Sequence, residues 1–390
     1  MIRLVVDKQF IGARNIFGDS REEGTLLYWI PDNEVVSLKD ALQSSKKFSY
    51  IMNGTCLSAE YKKYDFSKLD IDLISAINNG QARIVINDAM EGSSWLPQEI
   101  ENFTLYLKQN MIKAEMVTVI TQNYNYAYDE FPFKLVTWSL MESFARVTSK
   151  EWVDYNDDAK KFLCLNRWIN QHRFYFMYQM YKHDILDQFN WSFHGNIENK
   201  ESFDSGPQKF LRGLPAGGYW AQWDIWNWTD DMAKFAEDTP HMYDIDGDRT
   251  AADFHLIWEF HYHKKESLLY IVTETSFTND PIRDVSEKTW RPIALQMPFI
   301  LIHQPFALRR LRDLGYKTFN TLWDEDYDDI VDEKKRMSAI VDLVVSLNSR
   351  KDFVELIKSC RGIVEHNFQM LRMRRPESNM ISAVSNGMER

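Results

Sequence analysis

The feature that most constrains this chain is a repeated alternation of apolar strands, polar loops and helices. Residues 82–87 form a short apolar run that opens into the polar loop 88–94. A helical stretch at 97–109 follows, and then a second apolar run at 114–121 that opens into the polar segment 122–130. This order is typical of a doubly wound parallel sheet. Because such sheets bind ligands at the carboxyl ends of their strands, both polar loops are candidate functional segments.

The same alternation restarts near residue 160, and 390 residues exceed what one hydrophobic core usually supports. We therefore predict an α/β protein with two Rossmann-like domains. In the second half, strands are predicted at 161–165, 267–273 and 298–303, and helices at 174–188, 284–296, 307–314, 328–347 and 352–371.

Domain boundaries are set where the alternation breaks. We predict an N-terminal domain at 1–155 and a C-terminal domain at 156–350. Within the latter, residues 195–255 are rich in glycine, proline and tryptophan and are predicted to form an insertion or lid. A helix at 351–375 is expected to pack back on the first domain, and 376–390 to form a flexible tail.

Charge, cysteine content and missing motifs narrow the functions. A formal net charge of -11 argues against broad electrostatic binding of duplex nucleic acid. The 3 cysteines are too scattered for a disulfide framework or a zinc site, which fits a reducing compartment. We expect a cytoplasmic protein without membrane contact, because no signal peptide or membrane-length apolar run is evident. Neither glycine-rich phosphate motif is present, which disfavours P-loop ATPases, kinases and nicotinamide dehydrogenases.

The most informative segment runs from Tyr270 to Ala294. A strand ends near Glu274, a polar loop follows, and a helix begins with Ser286, Glu287 and Lys288 in its first turn. A helix N-terminus carrying a lysine favours a bound phosphate. The spacing of Asp284 and Glu287 also matches a capping box, a purely structural signal. The residues alone leave these two interpretations evenly balanced.

A family resemblance favours the phosphate. Ser286–Trp290 with Pro292–Ala294 and Met297–Ile300 resembles the donor-binding motif of the alpha-1,3-fucosyltransferase-like glycosyltransferases. The resemblance covers about 160–345 and implies a GT-B-like fold, two Rossmann-like domains facing across a cleft, and transfer with inversion. It implies that Glu287 holds the donor ribose and Lys288 the phosphates. No counterpart is evident for the N-terminal half, which would face the acceptor.

A second segment resembles the same family. Residues 162–167, followed by His172 and Arg173, are similar to the strand that leads into an arginine contacting the pyrophosphate. Arg167 is thus the first candidate for neutralising the leaving diphosphate and Arg173 the second, with a solvated helix-surface charge as the alternative for Arg173. Glu274 resembles an acidic position that faces donor hydroxyls.

The resemblance also bears on the acceptor and the catalytic base. Bacterial viruses encode proteins with similar C-terminal segments, including enzymes that glycosylate hydroxymethylated DNA bases, so the expected acceptor is a glycan or modified DNA. An inverting transfer needs a general base beside the acceptor hydroxyl. Glu91 and Asp88, in the loop after the strand at 82–87, are the candidates, with helix capping as the alternative for both.

Three segments of the chain contain acidic residues or histidines that could suggest a metal site. Residues 244–248 miss the calcium-loop spacing, and neither they nor 324–326 follow an apolar strand as a metal motif would. His261 and His263 alternate on one strand, which fits an ordinary half-buried sheet face better than a metal site. We expect no essential metal and a nucleotide-diphosphate-sugar as co-substrate. Two alternatives remain: a non-catalytic glycan- or nucleic-acid-binding protein, and a metal-dependent hydrolase centred on His255, His261 and His263.

Overall fold

The computed structural model describes residues 2–6, 33–53, 69–88, 97–122, 132–139, 142–143, 145–146, 154–156, 158–166, 171–193, 230–237, 265–280 and 285–385. The chain divides into two compact units: Met1–Phe144 with Arg374–Arg390, and Ala145–Met373. Each unit contains one parallel sheet flanked by helices. The predicted α/β class, with two Rossmann-like domains, is confirmed; the GT-B-like arrangement of the two domains across a cleft stays a prediction.

The first unit is built on a 6-stranded parallel sheet with the order β2-β1-β3-β4-β5-β6. Its strands are β1 (Ile2–Val6), β2 (Asn33–Val35), β3 (Phe48–Asn53), β4 (Ala82–Asp88), β5 (Val117–Thr121) and β6 (Lys134–Thr137), and its first helices are α1 (Leu38–Leu42), α2 (Ile71–Asn78) and α3 (Pro97–Gln109).

The core of this unit explains why the apolar runs become strands. Ile84, Val85 and Ile86 of β4 are fully buried, as expected for a parallel strand covered on both faces. Helix α3 has proline at its first position, where its missing N–H costs nothing. Phe103 of α3 is buried in the same apolar cluster as the sheet. The strand and helix predicted at 82–87 and 97–109 are thus confirmed.

The second unit is built on a 4-stranded parallel sheet with the order β10-β9-β7-β8. Its strands are β7 (Lys160–Asn166), β8 (Phe189–Phe193), β9 (Ser267–Thr273) and β10 (Phe299–Ile302), and its helices are α4 (Gln171–Lys182), α5 (Asp230–Glu237), α6 (Glu287–Ala294), α7 (Ala307–Asp313), α8 (Glu333–Ser349), α9 (Phe353–Ser359) and α10 (Arg361–Met373).

The unit boundaries differ from the predicted ones. The chain enters the second unit after Phe144, not near residue 155, and leaves it after Met373. The segment expected at 351–375 is two helices, α9 and α10, and both belong to the second unit. Helix α8 starts later than predicted because Asp332 caps it, accepting a hydrogen bond from the Lys335 amide at 2.9 Å.

The expected flexible tail is instead a helix of the first unit, α11 (Glu377–Ser385). Its Met380 is fully buried. Ser49 on β3 donates a hydrogen bond to the Val384 carbonyl at 3.3 Å, and Arg83 on β4 donates one to the Ala383 carbonyl at 3.2 Å. These donors satisfy carbonyls in the last turn, which lack partners within a helix. The prediction of disorder was wrong for residues up to 385.

Candidate functional site

The second sheet has a topological switch point between β7 and β9. From β7 the chain first pairs β8 on one side, and later adds β9 and β10 on the other. The two strand ends at the switch are joined, because the Thr273 hydroxyl donates a hydrogen bond to Asn166 Oδ1 at 2.5 Å. Open α/β sheets bind ligands beside the carboxyl ends of strands at such a point. The first segment of the family resemblance, 162–167, ends at this point, and Glu274, a further position of the resemblance, directly follows Thr273.

Glu274, the residue after β9, is the centre of the site and is only 1% exposed. Its carboxylate accepts hydrogen bonds from the Ser286 hydroxyl at 2.5 Å, from the Ser286 and Thr289 amides at 3.2 Å each, and from the Thr289 hydroxyl. The described hydrogen bonds of this carboxylate therefore tie the end of β9 to the start of α6. The predicted contact with donor hydroxyls stays a prediction.

This arrangement is a helix cap supplied from a distant residue. Ser286 is the N-cap of α6, and its hydroxyl accepts from the Lys288 amide at 3.2 Å. In an ordinary capping box the third helical residue contributes the carboxylate. Here Glu274 takes that part from the adjacent strand, so the Asp284–Glu287 capping-box interpretation is wrong. The amides of Ser286, Lys288 and Thr289 donate hydrogen bonds within the chain, so these three amides are not available to a phosphate.

The C-terminus of α6 is fixed by a left-handed residue. Gln296 has φ 55°, and its amide donates to the Ile293 carbonyl at 3.2 Å. The Met297 amide donates to the Pro292 carbonyl at 2.8 Å, which completes a Schellman motif. Both caps together make α6 shorter than the predicted 284–296. They also fix the orientation of its first turn.

Glu287 and Lys288 carry the accessible charges of this turn. Their side chains are 24% and 22% exposed, and Lys288 Nζ lies 2.6 Å from Glu287 Oε1. The same ammonium donates to the hydroxyls of Ser286 and Thr275 at 3.3 Å each. These three partners match the three N–H donors of the ammonium, so an anion bound by Lys288 would replace at least one of them.

The first turn of α4, the helix that follows β7, contacts the backbone of Glu274. His172 Nε2 lies 2.8 Å from the Glu274 carbonyl oxygen, and Arg173 Nη2 donates to that oxygen at 3.0 Å. A carbonyl only accepts, so Nε2 of His172 carries the hydrogen. Burial, reinforced by the charge of Arg173, lowers the pKa of His172 to about 3. Arg173 is 3% exposed, so the solvated helix-surface interpretation of this residue is wrong.

Glu274 is ionised in this setting. Burial alone would raise its pKa, but His303, Lys288 and the hydroxyls of Ser286 and Thr289 outweigh burial and hold the pKa below its ordinary value. One buried carboxylate therefore lies among the cations Arg173 and Lys288. Glu287 adds a second carboxylate beside Lys288, so the charges of these four side chains balance.

Two contributors were missed by sequence reasoning. His303 follows β10 directly and is 4% exposed, and a polar residue after an apolar strand is a signal that could have found it. Arg336 lies within α8 and is 1% exposed. No sequence signal marks Arg336, because an arginine within a helix is usually solvated.

Several predicted residues lie outside the described part of the chain. These are Arg167, which follows β7 directly, Glu91, the three histidines 255, 261 and 263, and most of the insertion at 195–255. Asp88 ends β4, with its backbone paired to Thr121, but its side chain is not described. Among the described residues, no group of three histidine, cysteine, aspartate or glutamate side chains is arranged to hold a metal ion.

Comparison with known proteins adds a likeness of fold. No protein-family model matches the chain, and no curated protein matches it in sequence. A solved structure of the DNA-modifying enzyme beta-glucosyltransferase, studied with and without uridine diphosphoglucose, is similar over 100% of both chains at 9% identity and a TM-score of 0.42. The T4 phage BGT in complex with UDP and Mn²⁺ is similar over 100% of both chains at 10% identity and a TM-score of 0.45. Similarity at this level carries no argument about activity.

None of the described helices is both long enough and apolar enough to cross a membrane.

Proposed function

We propose that this protein is a nucleotide-sugar-dependent, inverting glycosyltransferase whose second unit binds the donor. One observation carries the proposal: the turn that bears Glu287 and Lys288 lies at the switch point of a parallel sheet, fixed there by the Glu274 cap. Doubly wound sheets bind nucleotides at such a position. The resemblance of the same residues to a donor-binding motif agrees with it.

The charges assign the parts of the donor. Lys288 would bind the diphosphate and Glu287 the ribose hydroxyls, both through partly exposed side chains. Arg167 would add a cation at the end of β7, next to Asn166. Arg173 donates to the Glu274 carbonyl and is buried, so we assign it to the electrostatics of the site in preference to direct contact. Together these cations would stabilise the departing nucleoside diphosphate without a metal.

The acceptor side is assigned to the first unit. Glu91, with Asp88 as the second candidate, would take the proton from the acceptor hydroxyl as that oxygen attacks the anomeric carbon. The carbon–oxygen bond to the diphosphate then breaks, and the nucleoside diphosphate leaves. The acceptor is a glycan hydroxyl or the hydroxymethyl group of a base in viral DNA. We place the reaction in the cytoplasm of a bacterial or virus-infected cell.

Nucleotide binding is the direct test. A thermal-shift panel of UDP-, GDP- and ADP-linked sugars, with UDP-glucose included, should show stabilisation by one nucleotide. At a hundredfold excess over the dissociation constant the expected gain is about 2.7 kcal/mol. Lys288→Ala should weaken that binding by about 2 kcal/mol, roughly thirtyfold, because a hydrogen bond to a charged group is lost.

A matched control and a transfer assay complete the design. Lys358→Ala removes an exposed lysine from α9 and should leave nucleotide affinity unchanged. Release of nucleoside diphosphate that depends on added glycan or hydroxymethylated DNA would identify the acceptor. A protein that binds acceptor but neither binds nor cleaves any nucleotide-sugar would be the non-catalytic alternative. A stoichiometric transition metal in the purified protein would favour the hydrolase alternative.

A further inference from the structure

Arg336 is a buried cation that holds the loop following Glu274. Its guanidinium donates hydrogen bonds to the carbonyls of Thr278 at 2.6 Å and His303 at 3.0 Å. It also donates to the carbonyls of Ile330 at 2.7 Å and Val331 at 2.8 Å. The described partners of Arg336 are thus backbone carbonyls from three segments, two of which follow β9 and β10. None of these four hydrogen bonds is an ion pair. Burial lowers the pKa of Arg336 to about 10, and the nearby charges of Glu333, Asp328 and Asp332 oppose that shift.

A stack of rings connects Arg336 to the candidate donor site. Its guanidinium lies 4.3 Å from the centre of the Phe277 ring, and Phe277 stacks on His172 at 5.5 Å between ring centres. His172 contacts the Glu274 carbonyl. The positive charge of Arg336 also disfavours protonation of His172, after the larger effects of burial and of Arg173. The charge therefore acts on His172, which contacts the backbone of the capping residue Glu274.

Two carboxylates near Arg336 have described hydrogen-bond partners elsewhere, whereas the third, Glu333, has the largest attractive effect on the Arg336 charge. Asp328 accepts hydrogen bonds from the Leu308 and Arg309 amides at 2.9 and 2.8 Å, and Asp332 caps α8. Glu333 is the third nearby carboxylate, and its backbone amide donates to Asn279 in the same loop at 2.9 Å. Asp328, Asp332 and Glu333 lie towards the start of α8, while His172 and His303 lie towards the strand ends.

We propose that Arg336 is a positioning residue of the donor site, one that makes the site selective for nucleoside diphosphates over monophosphates. It would act without touching the nucleotide, by fixing the loop 275–280 and by a permanent charge behind the cap. The proposal rests on the proposed function. A neutral ligand group gains nothing from a fixed charge, and each added phosphate charge gains more. A purely structural role would affect both nucleotides equally.

The test measures dissociation constants of the nucleoside diphosphate and the matching monophosphate by calorimetry, for the nucleotide that stabilises the wild-type protein. Arg336→Met removes the charge and keeps much of the volume. We expect the ratio of the two constants to fall by about threefold or more, as for the loss of one screened unit charge. Arg350→Met, which removes an exposed arginine paired with Asp352, should leave the ratio unchanged.

A second variant keeps the proposal testable if Arg336→Met does not fold. Arg336→Lys retains the charge near neutral pH, but a lysine buried there should have a lowered pKa. The selectivity for diphosphate should then decrease between pH 7 and 9 relative to the wild-type protein, because burial lowers the pKa of Arg336 only to about 10 and leaves it mostly charged in that range. Equal weakening of both nucleotides, or a pH profile that matches the wild type, would overturn the role of Arg336 alone. If the wild type binds no nucleotide, the proposed function fails and this inference fails with it.

Discussion

The two sheets have the same parallel architecture but different chemistry at the carboxyl ends of their strands. In the second unit, the described residues beyond the strands include four that are buried and charged or titratable: Glu274, His303, His172 and Arg173. In the first unit, the described residues at the corresponding edge include Asn87, Thr121 and Gln122, which are buried but neutral. Buried charge is costly unless it has a use or a partner. The difference suggests that the diphosphate belongs to the second unit.

The largest expected effect would separate catalysis from binding. Glu91→Gln should lower turnover by about a thousandfold, because a general base contributes roughly 10²- to 10⁴-fold. Nucleotide affinity should stay within about twofold of the wild type, since the donor is assigned to the other unit. Steady-state transfer rates with calorimetric affinities check both parts, and Asp88→Asn is the matched comparison. A loss of nucleotide affinity in Glu91→Gln would contradict the assignment of the nucleotide to the second unit and of the catalytic base to the first.

Glu274→Ala should cost about 3 to 5 kcal/mol in the free energy of unfolding, because it leaves the buried donors of Ser286 and Thr289 without their acceptor. Urea unfolding monitored by fluorescence measures it. Glu142→Ala is the comparison in the first unit. The buried carboxylate of Glu142 pairs with Arg374, the residue at which the chain re-enters that unit. A cost below 1 kcal/mol for Glu274→Ala would refute the capping role.

Truncation after Arg375 removes α11 and should destabilise the first unit by about 3 kcal/mol or more. The apolar surface that Met380 and its apolar neighbours on α11 now cover would become exposed to water. The second unit should keep its nucleotide affinity. Limited proteolysis and calorimetry distinguish the two outcomes. Truncation after Ser385 is the control, since it leaves α11 complete.

Acidification should weaken the fold between about pH 6.5 and 4. The folded-state pKa of His172 is lowered to about 3, while an unfolded histidine titrates near 6.5, so the unfolded state binds more protons in that window. Stability therefore rises with pH there and is lost as pH falls. His172→Gln should be less stable at pH 7 yet show a shallower loss on acidification. An unchanged slope in urea unfolding across this range would count against the buried neutral imidazole.

The smallest expected effect concerns metal. If lysine and arginine side chains stabilise the leaving diphosphate, then EDTA should change the transfer rate by less than about twofold, and added Mn²⁺ should not restore activity to Lys288→Ala. Initial rates with and without chelator give the answer. A transfer rate that disappears on chelation would mean that a metal ion helps to stabilise the leaving diphosphate. The charged residues at the carboxyl ends of the second sheet's strands would then need a different explanation.

Much of the fold was predictable from pattern alone. The apolar runs at 82–87 and 267–273 became β4 and β9 because a parallel strand buried on both faces must be apolar throughout. The turn at Ser286 was predictable as a helix start, but the only capping arrangement that the spacing offered was Asp284 with Glu287. Local spacing favoured Glu287 as the capping carboxylate, whereas the carboxylate that caps the helix is that of Glu274, the residue after β9. A contact between residues 12 apart in sequence is set by the packing of strand and helix, which spacing rules do not contain.

The sequence by itself determined the alternation of strands and helices, the two parallel sheets and the polar segments at strand ends, because periodicity and burial act within a few neighbouring residues. Only the tertiary structure decided which buried groups meet. It placed His172 and Arg173 against Glu274, Arg336 behind Phe277, and α11 against β3 and β4. These contacts join segments far apart in the chain, and their free energy comes from satisfying charge and hydrogen bonds in a shared interior.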